Sequence, residues 1–181
     1  QTVQTGSGSA TFSGSYGTFT LNQISGTGTP PLPQPDMDSS SINTSTSSSG
    51  TLTVYVTETG VTGPLGTYNM LSGFALTTLI GSIGTVTEQT YVDTSDTAYG
   101  LGTALDSATF TNISSASSTD PVPDFTGPYS ITEVYTIVAT GAGSSAGTIS
   151  LQDVPEPGSL ALLGTGLLGL GMIGWTRRRR I

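Results

Sequence analysis

The side chains able to do chemistry in this sequence are almost all carboxylates and hydroxyls. The 181 residues include 12 Asp and Glu but no His and no Cys. Ser-His-Asp and Cys-His nucleophile systems are therefore excluded, as is a zinc site of His and Cys. No Lys is present for a Schiff base or a phosphate cradle. Carboxylate pairs remain. A glycosidase needs two, about 5 to 10 Å apart; Asp93 or Glu133 could belong to such a pair because each borders apolar residues, but no catalytic residue is expected. Aromatic residues are only 7% of the chain, few for stacking sugars. Asp36 with Asp38, and Asp93 with Asp96, place oxygen ligands in short sequence windows that would suit a hard cation such as calcium, without the spacing of an EF-hand. Solvated turn aspartates explain the same residues without a metal. No motif requires a cofactor.

Charge narrows the possible partners. All four basic residues are Arg177, Arg178, Arg179 and Arg180, and every acidic residue lies between Asp36 and Glu156. No carboxylate in the body of the chain has a cation of its own domain to pair with. The acids must be solvated, bonded by hydroxyls and N–H groups, or bound to metal. Binding to nucleic acid, which requires Lys or Arg, is excluded for this body.

The elements that must position these groups read as strands. Ser and Thr make up roughly a third of the chain, and with 25 Gly they favour strands and turns over helices. In residues 51–57, Leu52, Val54 and Val56 share one face while Thr51, Thr53, Tyr55 and Thr57 share the other, the mark of a half-buried strand. Residues 17–24, 85–92, 107–113, 129–140 and 147–151 also read as strands. Pro30, Pro31, Gly60, Pro64, Pro121, Pro123, Gly141 and Gly143 separate them. The Ser-rich stretch 39–51 is expected to be a flexible loop. The expected fold is all-β, an antiparallel β-sandwich over residues 1–152, whose core must do without disulfides. Asn43 and Asn112 begin formal glycosylation sequons.

The end of the chain has a different composition. Pro155, Glu156 and Pro157 fix an extended linker over 153–158. Residues 159–176 carry no charge and, as a helix, span about 27 Å, enough for a hydrocarbon core. Trp175 sits at the interface position, and the arginines of 177–181 stay cytoplasmic, which places the body on the outer side. The expectation is one C-terminal transmembrane helix. The chain opens on Gln1 rather than Met, as removal of an N-terminal leader would leave it.

The succession of Pro155-Glu156-Pro157, a Leu/Gly-rich apolar segment and a terminal arginine cluster resembles the PEP-CTERM sorting signal of Gram-negative bacteria. The resemblance covers 154–181. It implies recognition of Pro155, Glu156 and Pro157 by exosortase, an integral-membrane cysteine protease-like transpeptidase, with cleavage nearby. It also implies passage through the inner membrane with the body in the periplasm, then a destination at the cell surface or in an exopolysaccharide or biofilm matrix. A non-enzymatic structural or interaction protein is the first functional expectation. A carbohydrate- or calcium-binding module is the second, and would need a concave face with clustered Tyr and Trp or a loop gathering Asp oxygens. A carboxylate hydrolase is the third.

Overall fold

The computed structural model describes residues 8–29, 32 and 35–154. Eight strands follow one another: β1 (Ser9–Tyr16), β2 (Phe19–Thr27), β3 (Met37–Thr46), β4 (Gly50–Val61), β5 (Asn69–Asp93), β6 (Thr103–Phe110), β7 (Ser114–Pro121) and β8 (Tyr129–Val154). All pairings are antiparallel, as the sequence predicts. Asp153 and Val154, expected in the linker 153–158, instead end β8, paired with Met70 and Asn69; the rest of that linker, the expected membrane helix 159–176 and the four arginines lie outside the described residues. Among the described residues no helix is long and apolar enough to cross a membrane.

β5 and β8 organise the fold. They pair with each other from Asn69↔Val154 to Asp93↔Ser130, and both bend midway. At the bend Gly81 has φ +75°, and a Cβ there would lie 2.5 Å from the Ala142 carbonyl oxygen. A Cβ on Gly143 would meet the Ile80 oxygen at the same distance. Only glycine allows the two backbones to approach this closely. The bend folds one continuous sheet into two facing layers. β4, the first half of β8, the second half of β5 and β6 form one layer. β1, β2, β3, the second half of β8, the first half of β5 and β7 form the other.

Contacts between the layers show which strand lies on which. The hydroxyls of Ser72 and Thr90, in opposite halves of β5, are 2.7 Å apart. A Cβ on Gly147 would sit 2.9 Å from the Tyr135 ring, placing the halves of β8 face to face. Ser39 of β3 donates to Glu133 of β8. β2 covers β4: a Cβ on Gly26 would collide with Val56, and Thr29 N–H donates to Glu58 at 3.0 Å.

Between the layers are two apolar clusters. One, nearer the bend, holds Phe19, Ile42, Leu76, Val86, Phe110 and Ile137 among others. The second gathers Met37, Met70, Val92, Phe125, Tyr129 and Leu151. Phe125 stacks on Tyr129 with centroids 3.9 Å apart, and the Tyr129 hydroxyl donates to the Gly63 carbonyl at 3.0 Å.

The expected loop 39–51 is not a loop. Residues up to Thr46 belong to β3, paired on both sides, and only 47–49 turn before β4 begins. Met37, Ser39, Ile42, Thr44 and Thr46 are the buried positions of β3. Hydroxyls let a serine-rich strand occupy a core: Thr44 and Ser145 bond across the β3–β8 pair at 3.1 Å.

Candidate functional site

The two layers end differently on their two flanks. On one, the short turn 111–113 joins β6 to β7, linking the layers. On the other, among the described residues, β1 and β4 are each paired on one side only. Between them runs a groove of about 530 Å³. Ala10, Phe12, Leu21 and Ile24 line one wall, and every residue of 51–57 lines the other. No charged side chain is in the lining; hydroxyls of Thr11, Ser15, Thr51, Thr53 and Thr57 share it with apolar groups.

Three tyrosines stand at its mouth. Tyr16 is 55% exposed and Tyr55 41%. Tyr99 reaches the groove from the loop between β5 and β6 and meets Tyr55 edge-on, with centroids 6.2 Å apart. Its φ of +63° is unusual for a bulky residue. The Tyr99 N–H donates to the Thr57 hydroxyl at 3.2 Å, Asp96 accepts from Gly60 N–H at 2.6 Å, and Ser130 donates to the Thr97 carbonyl at 2.9 Å. These bonds strap the loop across β8 onto β4 and hold the backbone in that conformation.

The acidic residues singled out in the sequence are dispersed. Asp93 points away from the core and closes a turn: it accepts from Thr97 Oγ1 at 2.5 Å and from Ser95 N–H at 2.9 Å. The Thr97 bond, and then the Ser95 bond, hold its carboxyl below the usual range. Glu133 is 1% exposed between the layers. Asp93 and Glu133 therefore face opposite sides of their layer. Asp36 accepts from Asp153 N–H at 3.0 Å, and burial raises Asp38. Among the described residues no three Asp, Glu, His or Cys gather around a common point that could hold a metal.

The sequence reading overlooked Glu88. Its alternation with Val86, Thr90 and Val92 was the available signal, since it puts all four on one face. Glu88 is fully buried, diagonal to Glu133 across the β5–β8 pair. Neither of its oxygens has a partner in hydrogen-bond geometry, although the Ala75 backbone biases the carboxyl downward. Burial dominates and pushes it up to about 8. Glu133 is raised well above its ordinary value, chiefly by burial, against the Ser39 hydroxyl and with the negative charges of Asp38 and Glu88 adding to the rise. Without a cation, the core tolerates these acids by keeping them protonated.

No curated protein matches the chain. Among solved structures it is similar to the enzymatically active domain of tailspike protein 4 of bacteriophage CBA120, with 12% identity and a TM-score of 0.39. That alignment covers 81% of this chain and 19% of that one. The VP2 subviral particle of infectious bursal disease virus aligns with 12% identity and a TM-score of 0.23, covering 91% of this chain and 59% of that one. Neither score is high enough to establish a shared fold. The motif at the C-terminus is specific: β8 ends at Val154, and residues 153–180 match the PEP-CTERM protein-sorting motif, which marks the chain as an exported protein addressed to exosortase.

Proposed function

We propose that this chain is a structural or interaction protein of the cell surface or extracellular matrix of a Gram-negative bacterium. The observation that carries this reading is the sorting motif at residues 153–180, which begins where β8, paired through the middle of the sheet, ends. The body crosses the inner membrane and is held at its outer face by the apolar segment 159–176, with Arg177 to Arg180 on the cytoplasmic side. An exosortase-type transpeptidase reads Pro155, Glu156 and Pro157 and cuts near them. The released domain carries no basic side chain and is anionic and self-repelling. Its destination is an exopolysaccharide or biofilm matrix.

A non-catalytic role is supported by the chemistry of the groove. Its lining contains no carboxylate, and tyrosine is its only titratable group. The two buried acids lie between the layers. The test is made in the native host with Glu156→Ala and Pro155→Ala. Both variants are expected to accumulate in the inner membrane while the unaltered protein leaves it. Release of both variants at the normal rate would contradict the reading.

A further inference from the structure

We infer that the open flank is a self-complementary interface, at which two copies of this chain pair edge to edge with β1 of each lying beside β4 of the other. The inference deepens the structural reading above and rests on it only for its setting outside the cell.

It begins with a mismatch between the layers. The layer with β1 has six strands and the layer with β4 has four. The contacts between layers pair them off: β5 on β5 through Ser72 and Thr90, β3 on β8 through Ser39 and Glu133, β2 on β4 through Gly26 and Val56. β1 thus overhangs β4 by one strand, and the groove is the space beneath it. Ala10 and Phe12 look into that space from β1, and the free side of β4 borders it.

Edges of this kind are normally guarded by charge, proline, irregularity or cover. The other flank follows that rule, with Asp106 on β6 and Asp120 and Pro121 on β7. β4 follows it only at its far end, where Glu58, the irregularity between Glu58 and Val61 and the strapped loop lie; residues 51–57, Thr-Leu-Thr-Val-Tyr-Val-Thr, contain no charge, proline or glycine. Their side chains strongly favour strand pairing. β1 is uncharged as well. Two anionic domains can therefore meet here without opposing carboxylates.

The strand directions make the second copy fit. β5 and β8 reverse at their bends, since residues equally far from the bend share a cluster: Leu76 with Val86, and Met70 with Val92. Following the antiparallel pairings outward from β8, β1 runs opposite to β4. A two-fold axis parallel to the strands, midway between the layers, keeps each strand's direction and exchanges the layers. It places β1 of each copy antiparallel to β4 of the other, in the groove, with β2 of each copy still over its own β4. The eight residues of β1, with one irregularity between Phe12 and Gly14, are close in number to the seven residues of β4 that line the groove. Both edges gain ladder hydrogen bonds, and the Phe12 side chains become covered.

The test uses the full chain in detergent, with Thr11→Cys and Thr53→Cys made separately, because the chain has no cysteine of its own. Both residues lie on outer faces, and both line the groove. Adjacent strands are about 5 Å apart, within reach of a short bismaleimide. The expected result is a covalent dimer when the two variants are mixed and none from either alone, together with a dimeric mass by sedimentation. Thr53→Lys should weaken that association at least about tenfold while leaving unfolding at high dilution within a few degrees. Association through the apolar tail alone would not join Thr11→Cys to Thr53→Cys. Three results would overturn the inference: a monomer at concentrations up to about 0.1 mM; equal cross-linking by either variant alone; or a ladder of higher oligomers. So would saturable binding of a neutral glycan or an unrelated strand peptide in the groove of a chain that shows no mixed cross-link.

Discussion

The two flanks of this domain solve the same problem in different ways. Both end in strands with unpaired backbone. The β6–β7 flank is tied by a short turn and carries Asp106, Asp120 and Pro121. Among the described residues the β1–β4 flank is joined by no such turn, and its groove has an apolar wall and no charged lining. A sheet edge without protection is a liability in a monomer and an asset in an assembly. The difference is the ground for the proposed pairing at the β1–β4 flank.

The comparison can be broken by deleting one apolar anchor on each flank. Phe110, on β6, is buried against the bend-side cluster. Phe110→Ala should cost about 3–4 kcal/mol in urea unfolding at any protein concentration. Phe12, half-buried on β1, should cost about 1 kcal/mol in the dilute protein, with a larger loss appearing as concentration rises. Equal costs, both independent of concentration, would mean that the flanks do not differ.

Next in size is the pH response of the centre, which belongs to neither flank. Glu88 keeps its proton in the folded state to about pH 8. Unfolded, it loses that proton near the ordinary value of 4.5. The folded protein thus binds more protons between those values, so stability is full below about pH 4.5 and falls as pH rises toward 8. The loss should be on the order of 2–4 kcal/mol, and Glu133 adds to it in the same direction. Glu88→Gln should flatten the slope of melting temperature between pH 5 and 8 and raise stability at the alkaline end. A steeper slope in that variant would refute the assignment.

A smaller effect separates the flanks by charge alone. Asp106→Thr removes the charge from β6 and is expected to change stability by no more than about 0.5 kcal/mol. It should nevertheless increase self-association measured by light scattering, since it makes the guarded edge resemble the open one. Unchanged scattering would mean that Asp106 does not guard that edge.

Much of the fold was legible in the sequence, and what was missed has a physical cause. Alternation of apolar and hydroxyl residues identified β4, because Leu52, Val54 and Val56 carry the signal. Residues 129–140 and 147–151 read as two strands, but they are one, β8, because the glycines at its bend look like a break. The same effect hid the first half of β5, so that only 85–92 was read. Residues 107–113 overlap β6, which stops at Phe110. β3 reads as a loop because its inward face is mostly hydroxyl; nothing local says that Ser39 will meet Glu133 in a core. β7 is made mostly of small and hydroxyl residues, and β1 adds to such residues only Phe12 and Tyr16 as large side chains, so tertiary pairing is what reveals them. The groove depends on a one-strand offset between layers, which no local pattern encodes. The tail is the opposite case: its residues state their address in order, without reference to the fold.

The sorting motif marks this β domain as exported, and the proposal is that it leaves its tail behind. The most direct measurement is the intact mass and C-terminal peptide of the protein recovered from outside the inner membrane of its native host. The expected chain ends at or close to Pro155, Glu156 and Pro157 and lacks all four arginines. Recovery only as a membrane-bound chain ending at Ile181, in cells with an active sorting transpeptidase, would contradict it.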